Sequence, residues 1–105
     1  MITIQSKVIL YSSVGGNVPI IKIIMILEGN EHFSDNEPYS DKFYRSPDGK
    51  QQEVVLDTID ARNFMLNIHQ TRKNRKYNRD LKRKLSDALL LVITDKFDGK
   101  EKEIV

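Results

Sequence analysis

Eight of the chain's seventeen Lys and Arg residues fall between positions 72 and 84, with a single acid, Asp80, among them. They are Arg72, Lys73, Arg75, Lys76, Arg79, Lys82, Arg83 and Lys84. The chemistry open to such a run is electrostatic rather than covalent. Each phosphate neutralised by a cation releases condensed counterions, so a polyanion is the partner that rewards it most. On a helix, Lys76, Arg79 and Arg83 share one face, turned away from Tyr77, Leu81 and Leu85. One side can then pack while the other presents cations. Asn74, Asn78 and Tyr77 add hydrogen-bonding or stacking capacity, although Tyr77 suits a core equally well. Two plainer readings compete: a solvated helix face, with Asp87 and Glu101 as neighbours, and a docking face for an acidic protein.

No other group of residues assembles a reaction. Cysteine is absent, which removes disulfides, thiolate metal sites and thiol nucleophiles. His32 and His69 are the two histidines, too far apart for a helical ligand pair. No nucleophile elbow is present, and Ser12, Ser13, Ser34, Ser40, Ser46 and Ser86 lack a base partner in the sequence. Glu28, Glu31, His32, Asp35, Glu37 and Asp41 form an acidic cluster. However, Pro38 follows Asp35-Asn36-Glu37, and the glycine of a calcium loop is missing. The expectation is a protein without catalytic centre, metal or cofactor.

The elements that must carry the basic run are legible from periodicity. Ile2, Ile4, Val8 and Leu10 alternate with Thr3, Gln5 and Lys7, which predicts a half-buried strand. Gly15-Gly16-Asn17 is a turn signal. Residues 18–27 are apolar on both parities. Five Ile and a Val favour a strand covered on both faces, while Pro19 would suit the first turn of a helix. As a strand, this segment closes a long hairpin. Residues 28–41 read as a loop and 42–45 as a short strand. Ser46-Pro47-Asp48-Gly49 fits a type I turn, and Gln51 to Leu56 returns as the second hairpin's other strand.

Beyond it the period becomes helical. Asp57 or Thr58 can cap, and Ile59, Phe64, Met65 and Ile68 lie roughly on one face. A second helix shows Tyr77, Leu81, Leu85, Leu89 and Val92 at spacings of three or four. Residues 89–94 suit either its buried end or a separate strand. The order predicts an α+β fold: a small antiparallel sheet of two hairpins, then one or two C-terminal helices packed on one face. It is read as a single domain over 1–105, with a β-rich part over 2–57, a helical basic part over 58–95 and a frayed tail over 96–105. The apolar hairpin offers a second kind of surface. Ile20, Ile21, Ile23, Ile24, Met25 and Ile26 are candidates for burial against a partner or a second copy.

One stretch resembles the Ras-like small GTPases. Lys7-Val8-Ile9-Leu10-Tyr11 followed by Ser12-Ser13-Val14-Gly15-Gly16-Asn17-Val18-Pro19 is similar to their first strand and phosphate loop, and Val54-Val55-Leu56-Asp57-Thr58 to their third strand. The phosphate-loop pattern G-x-x-x-x-G-K-[ST] meets Ser12, Asn17, Val18 and Pro19 at its fixed positions, so none of its chemistry survives. The resemblance implies a non-binding remnant in which residues 19–27 are helical.

The composition bounds the partners. The chain has 105 residues, and its net charge of +2 hides a split: residues 1–60 carry five cations against nine acids, residues 61–105 twelve against six. The longest apolar run, ten residues, is half of what a membrane span needs. A small domain without disulfides is expected in the cytoplasm. The leading expectation is a non-enzymatic domain that contacts RNA or DNA phosphates through the basic helix, as a ribonucleoprotein component or a phage- or virus-type accessory factor. The alternative is an interaction or self-assembly module, a homo-oligomer built on the Ile-rich hairpin.

Overall fold

The computed structural model describes the backbone of residues 3–29, 43–67 and 75–105, and the side chains of 4–29, 43–67 and 78–105. The elements in order are β1 (Thr3–Ser12), β2 (Pro19–Glu28), β3 (Phe43–Arg45), β4 (Gln51–Leu56), α1 (Thr58–Asn67), α2 (Arg75–Ile93) and β5 (Lys102–Ile104). The fold is α+β: an antiparallel five-stranded sheet in the order β3-β4-β2-β1-β5, with helices against one face.

Register explains which side chains reach the core. Val8 pairs with Ile23 and Leu10 with Ile21 across β1 and β2. Ile23 continues to Val54, and Ile21 to Leu56, on β4. Opposed residues in an antiparallel pair share a face, so these rows form one apolar wall. The wall receives Ala61 from α1 and Leu81, Leu85, Ala88 and Leu89 from α2. The helical spacings in the sequence thus mark the core face of α2. Residues 89–93 continue that helix rather than form a strand, with Leu89 buried and Leu90 and Ile93 exposed.

The Ile-rich segment is a strand throughout. A helix over 19–27, which the likeness to small GTPases implies, is excluded. Ten consecutive residues pair with β1 from Thr3↔Glu28 to Ser12↔Pro19, and Pro19 sits at the strand's first position, where a missing donor costs least. The hairpin's turn closes with Ser13 N–H donating to the Val18 carbonyl at 2.9 Å, and Gly15 takes a positive φ of 77°.

Both helices end as their residues dictate. The Asp57 carboxylate accepts the Asp60 backbone N–H at 2.8 Å, a side-chain N-cap for α1. After Ile93 the chain turns through Asp95 at φ 57°. Lys96 N–H bonds back to the Leu91 carbonyl at 2.9 Å and Asp95 N–H to the Val92 carbonyl at 3.2 Å, the two bonds of a Schellman stop.

The tail is the main departure from expectation. Residues 102–104, expected to be frayed, form β5 on the edge of β1, and Ile104 is 6% exposed. A charged sequence hides this: Lys102 and Glu103 suggest solvent, yet Ile104 pairs with Val8 and completes the apolar wall. The acidic cluster lies largely outside the described residues, Glu28 excepted.

Candidate nucleic-acid interface

The expected cationic run divides into three parts. Arg72 and Lys73 lie outside the described residues. Arg75 and Lys76 open α2, and the first turn of that helix holds no acid. Arg79, Lys82, Arg83 and Lys84 follow within it, with side chains described.

α2 sorts these last four by angle. At about 100° per residue, Leu81, Leu85, Ala88 and Leu89 fix the inward direction. Arg83 then points nearly opposite to it, with Arg79 about 40° round and Lys82 on the flank beyond. Arg79 and Lys82 are exposed, and among the described residues neither pairs with a carboxylate. Lys84 lies on the other flank, half-buried at 17% exposure.

That second flank carries the helix's own acids. Asp80 accepts from Lys84 Nζ at 3.0 Å and from Arg83 Nη2 at 3.2 Å. Asp87 accepts from Arg83 Nη1 at 3.2 Å. The same two cations also bind backbone. Lys84 Nζ donates to the Ser6 carbonyl on β1 at 2.9 Å, beyond the three residues that β5 pairs with. Arg83 Nη1 donates to the Val105 carbonyl at 3.3 Å, just past β5. Arg83 and Lys84 therefore tie α2 to the sheet edge. Both were expected as phosphate contacts; in the free protein they pair with local carboxylates, and Lys84 also donates to Ser6. The carboxyl of Asp80 is held below its ordinary value, chiefly by the Lys84 hydrogen bond and then by Arg83.

The spacing behind the intrahelical pairs was available in the sequence: Asp80 precedes Arg83 and Lys84 by three and four residues, and Asp87 follows Arg83 by four. The bonds to Ser6 and Val105 were not, because they require the position of β5.

The expected apolar interface also splits, by strand parity. Ile21 and Ile23 are fully buried beneath the helices, and Met25 packs against the same core. These three are core residues rather than interface residues, because alternate side chains on a strand point to opposite faces. Ile20, Ile24 and Ile26 lie on the other face, each half-buried.

Further along α2 the outward surface turns apolar, with Leu90 and Ile93 exposed. Beside them an open groove of about 510 Å³ runs between α2 and β5, with both apolar side chains, such as Leu90, Leu91 and Ile104, and charged ones, such as Asp87, Lys96 and Glu103, in its lining. Among the described residues no three His, Asp or Glu side chains gather as a metal site, and no helix is long and apolar enough to cross a membrane. Comparison with family models, with curated proteins and with solved structures finds no match for this chain.

Proposed function

We propose that the protein binds RNA or DNA through the amino-terminal half of α2, with phosphates held by Arg75, Lys76, Arg79 and Lys82 and by the preceding Arg72 and Lys73. The observation that carries this reading is the placement of charge along the helix. α2 opens with Arg75-Lys76-Tyr77-Asn78-Arg79 and has no acid in its first turn. A helix N-terminus is the positive end of the macrodipole, so cations there are disfavoured by a few tenths to one kcal/mol each. The acids that would offset them stand further along, at Asp80 and Asp87, and are occupied by Arg83 and Lys84. An arrangement costly for the free protein becomes favourable when a polyanion meets the same end, because helix dipole and side chains then act together.

The test is a salt titration of binding to generic duplex DNA, single-stranded DNA and RNA. Four to six phosphate contacts predict a slope in log K against log salt of roughly −3 to −5. No retention of any nucleic acid at about 50 mM salt removes the proposal. Binding that polyglutamate displaces as readily as RNA transfers the surface to an acidic protein.

A further inference from the structure

We infer that the outer edge of β5, with the groove between it and α2, is a strand-addition site for an extended peptide with aliphatic side chains at alternate positions. The site lies beside the carboxy-terminal half of α2, so the inference stands apart from the nucleic-acid reading.

Hydrogen-bond parity shows what the edge offers. Ser13 N–H donates to the Val18 carbonyl at 2.9 Å, in register with the pairs Tyr11↔Ile20 and Ile9↔Lys22. In an antiparallel ladder a residue turns its N–H and its carbonyl to the same side, and the next residue turns its own to the other. The odd-numbered residues of β1 therefore bond to β2. Val8 and Leu10 turn the other way and meet Ile104 and Lys102. Glu103, between these two, directs both of its backbone groups away from β1. β5 is the last strand of the sheet, and among the described residues no strand lies beyond it.

The groove supplies the side-chain sites. Ile104 is directed to the helix side of the sheet and joins the core. Leu91 and the exposed Leu90 form the facing wall on α2. A strand added antiparallel, as every pair in the sheet is, sets one residue opposite Glu103 and exchanges two backbone hydrogen bonds with it. The residues on either side of that one, opposite Lys102 and Ile104, direct their side chains into the groove. Main-chain bonds then hold the peptide, and the wall selects its alternate side chains. The groove's volume of about 510 Å³ falls within the roughly 300–1,000 Å³ over which pockets bury a ligand.

Charge and backbone together choose the occupant. The lining holds Asp87 and Glu103 against Lys96 and Lys102, so it has no net attraction for a phosphate chain. The β5 of a second copy, centred on the same residue, sets Glu103 against Glu103, and like charges directly opposite oppose pairing. A free aliphatic molecule covers Leu90 but leaves the Glu103 N–H and carbonyl unused. An extended peptide uses both.

Amide hydrogen exchange and amide chemical shifts of the full chain test this, with an acetylated, amidated heptapeptide of alternating Thr and Val as the probe. With the peptide at about ten times its dissociation constant, exchange at Glu103 should slow about tenfold. Lys102 and Ile104, already bonded to β1, should change less. Shifts should gather at Leu90, Leu91 and Thr94. The same peptide N-methylated at each Thr, the residues that pair with Glu103, should bind about tenfold or more weakly. Leu90→Lys, at an exposed position and with its fold checked by circular dichroism, should weaken binding about fivefold or more. The absence of saturable shifts up to about 1 mM peptide overturns the inference. So does equal binding of the N-methylated peptide, which would make the groove an aliphatic pocket without strand pairing, or a Leu90→Lys variant that binds as before. Protection of Glu103 that rises with protein concentration alone assigns the edge to a second copy, and equal protection by single-stranded RNA assigns it to nucleic acid; either result also overturns it.

Discussion

Arg79 and Lys82 sit within five residues of Arg83 and Lys84 on one helix, yet the two pairs do different work. The first pair is exposed and unmatched by any carboxylate among the described residues. The second is spent on Asp80, Asp87, the Ser6 carbonyl and the Val105 carbonyl. Residue type does not distinguish them. What does is spacing: Arg83 and Lys84 stand three or four residues from Asp80 or Asp87, whereas Arg79 and Lys82 do not, and Lys84 also reaches the edge of β1. A basic run is therefore not a unit of function. Here it is one part anchor and one part candidate contact.

The largest effect that would separate the two pairs is on binding. Arg79→Glu with Lys82→Glu should lower nucleic-acid affinity by about a hundredfold at moderate salt and reduce the salt slope by roughly two. Stability should change by no more than about 0.5 kcal/mol, since neither side chain holds the fold. Filter binding across salt concentrations, with urea unfolding alongside, reads both quantities. If affinity is unchanged, the unmatched cations are a solvated face and the comparison loses its functional half.

How far this was legible in the sequence follows the same division. Period and turn chemistry marked β1, β2, β4, both helices and the α+β class, because each rests on local pattern: alternation at Ile4 to Leu10, the Ser46–Gly49 turn, and Leu81, Leu85 and Leu89. Strand parity could have separated Ile21 and Ile23 from Ile20 and Ile24 once residues 18–27 were read as a strand. It could not say which set the helices cover. β5 was hidden, because three residues with two charges carry no period, and only the pairing of Ile104 with Val8 brings them into order. Since β5 sets where Val105 lies, the anchoring role of Arg83 was hidden with it.

The anchors should show the reverse behaviour. Lys84→Ala removes a half-buried ammonium that satisfies the Ser6 carbonyl and Asp80, and should cost about 1–3 kcal/mol of unfolding free energy. Nucleic-acid affinity should stay within about twofold, because that charge was already neutralised. A binding loss as large as the one expected from the Arg79 and Lys82 reversal would erase the distinction between the pairs. Arg83→Gln is a milder version. Its side chain is 49% exposed, so solvent screens both ion pairs, and the loss should be about 0.5 kcal/mol or less.

The smallest expected effect, and the most specific, is the pH dependence carried by Asp80. Its carboxyl titrates below the ordinary value of 3.8 in the folded protein, first because Lys84 donates to it and then because Arg83 does. A depressed acid binds its proton less readily when folded than when unfolded. Its stabilising contribution is therefore complete above the unfolded value and is lost as pH falls through the folded one. Asp80 is 46% exposed, so that contribution is under about 1 kcal/mol. Asp80→Asn supplies the reference, since it keeps the shape and removes the titration. Unfolding free energies of the two proteins should differ by a constant amount above about pH 5 and converge in the acid range below the ordinary carboxylate value. The absence of a gap at any pH would mean that Asp80 acts through shape alone. Lys84 would then have no carboxylate holding it, and the reason for setting it and Arg83 apart from Arg79 and Lys82 would rest on Asp87 and the two backbone carbonyls.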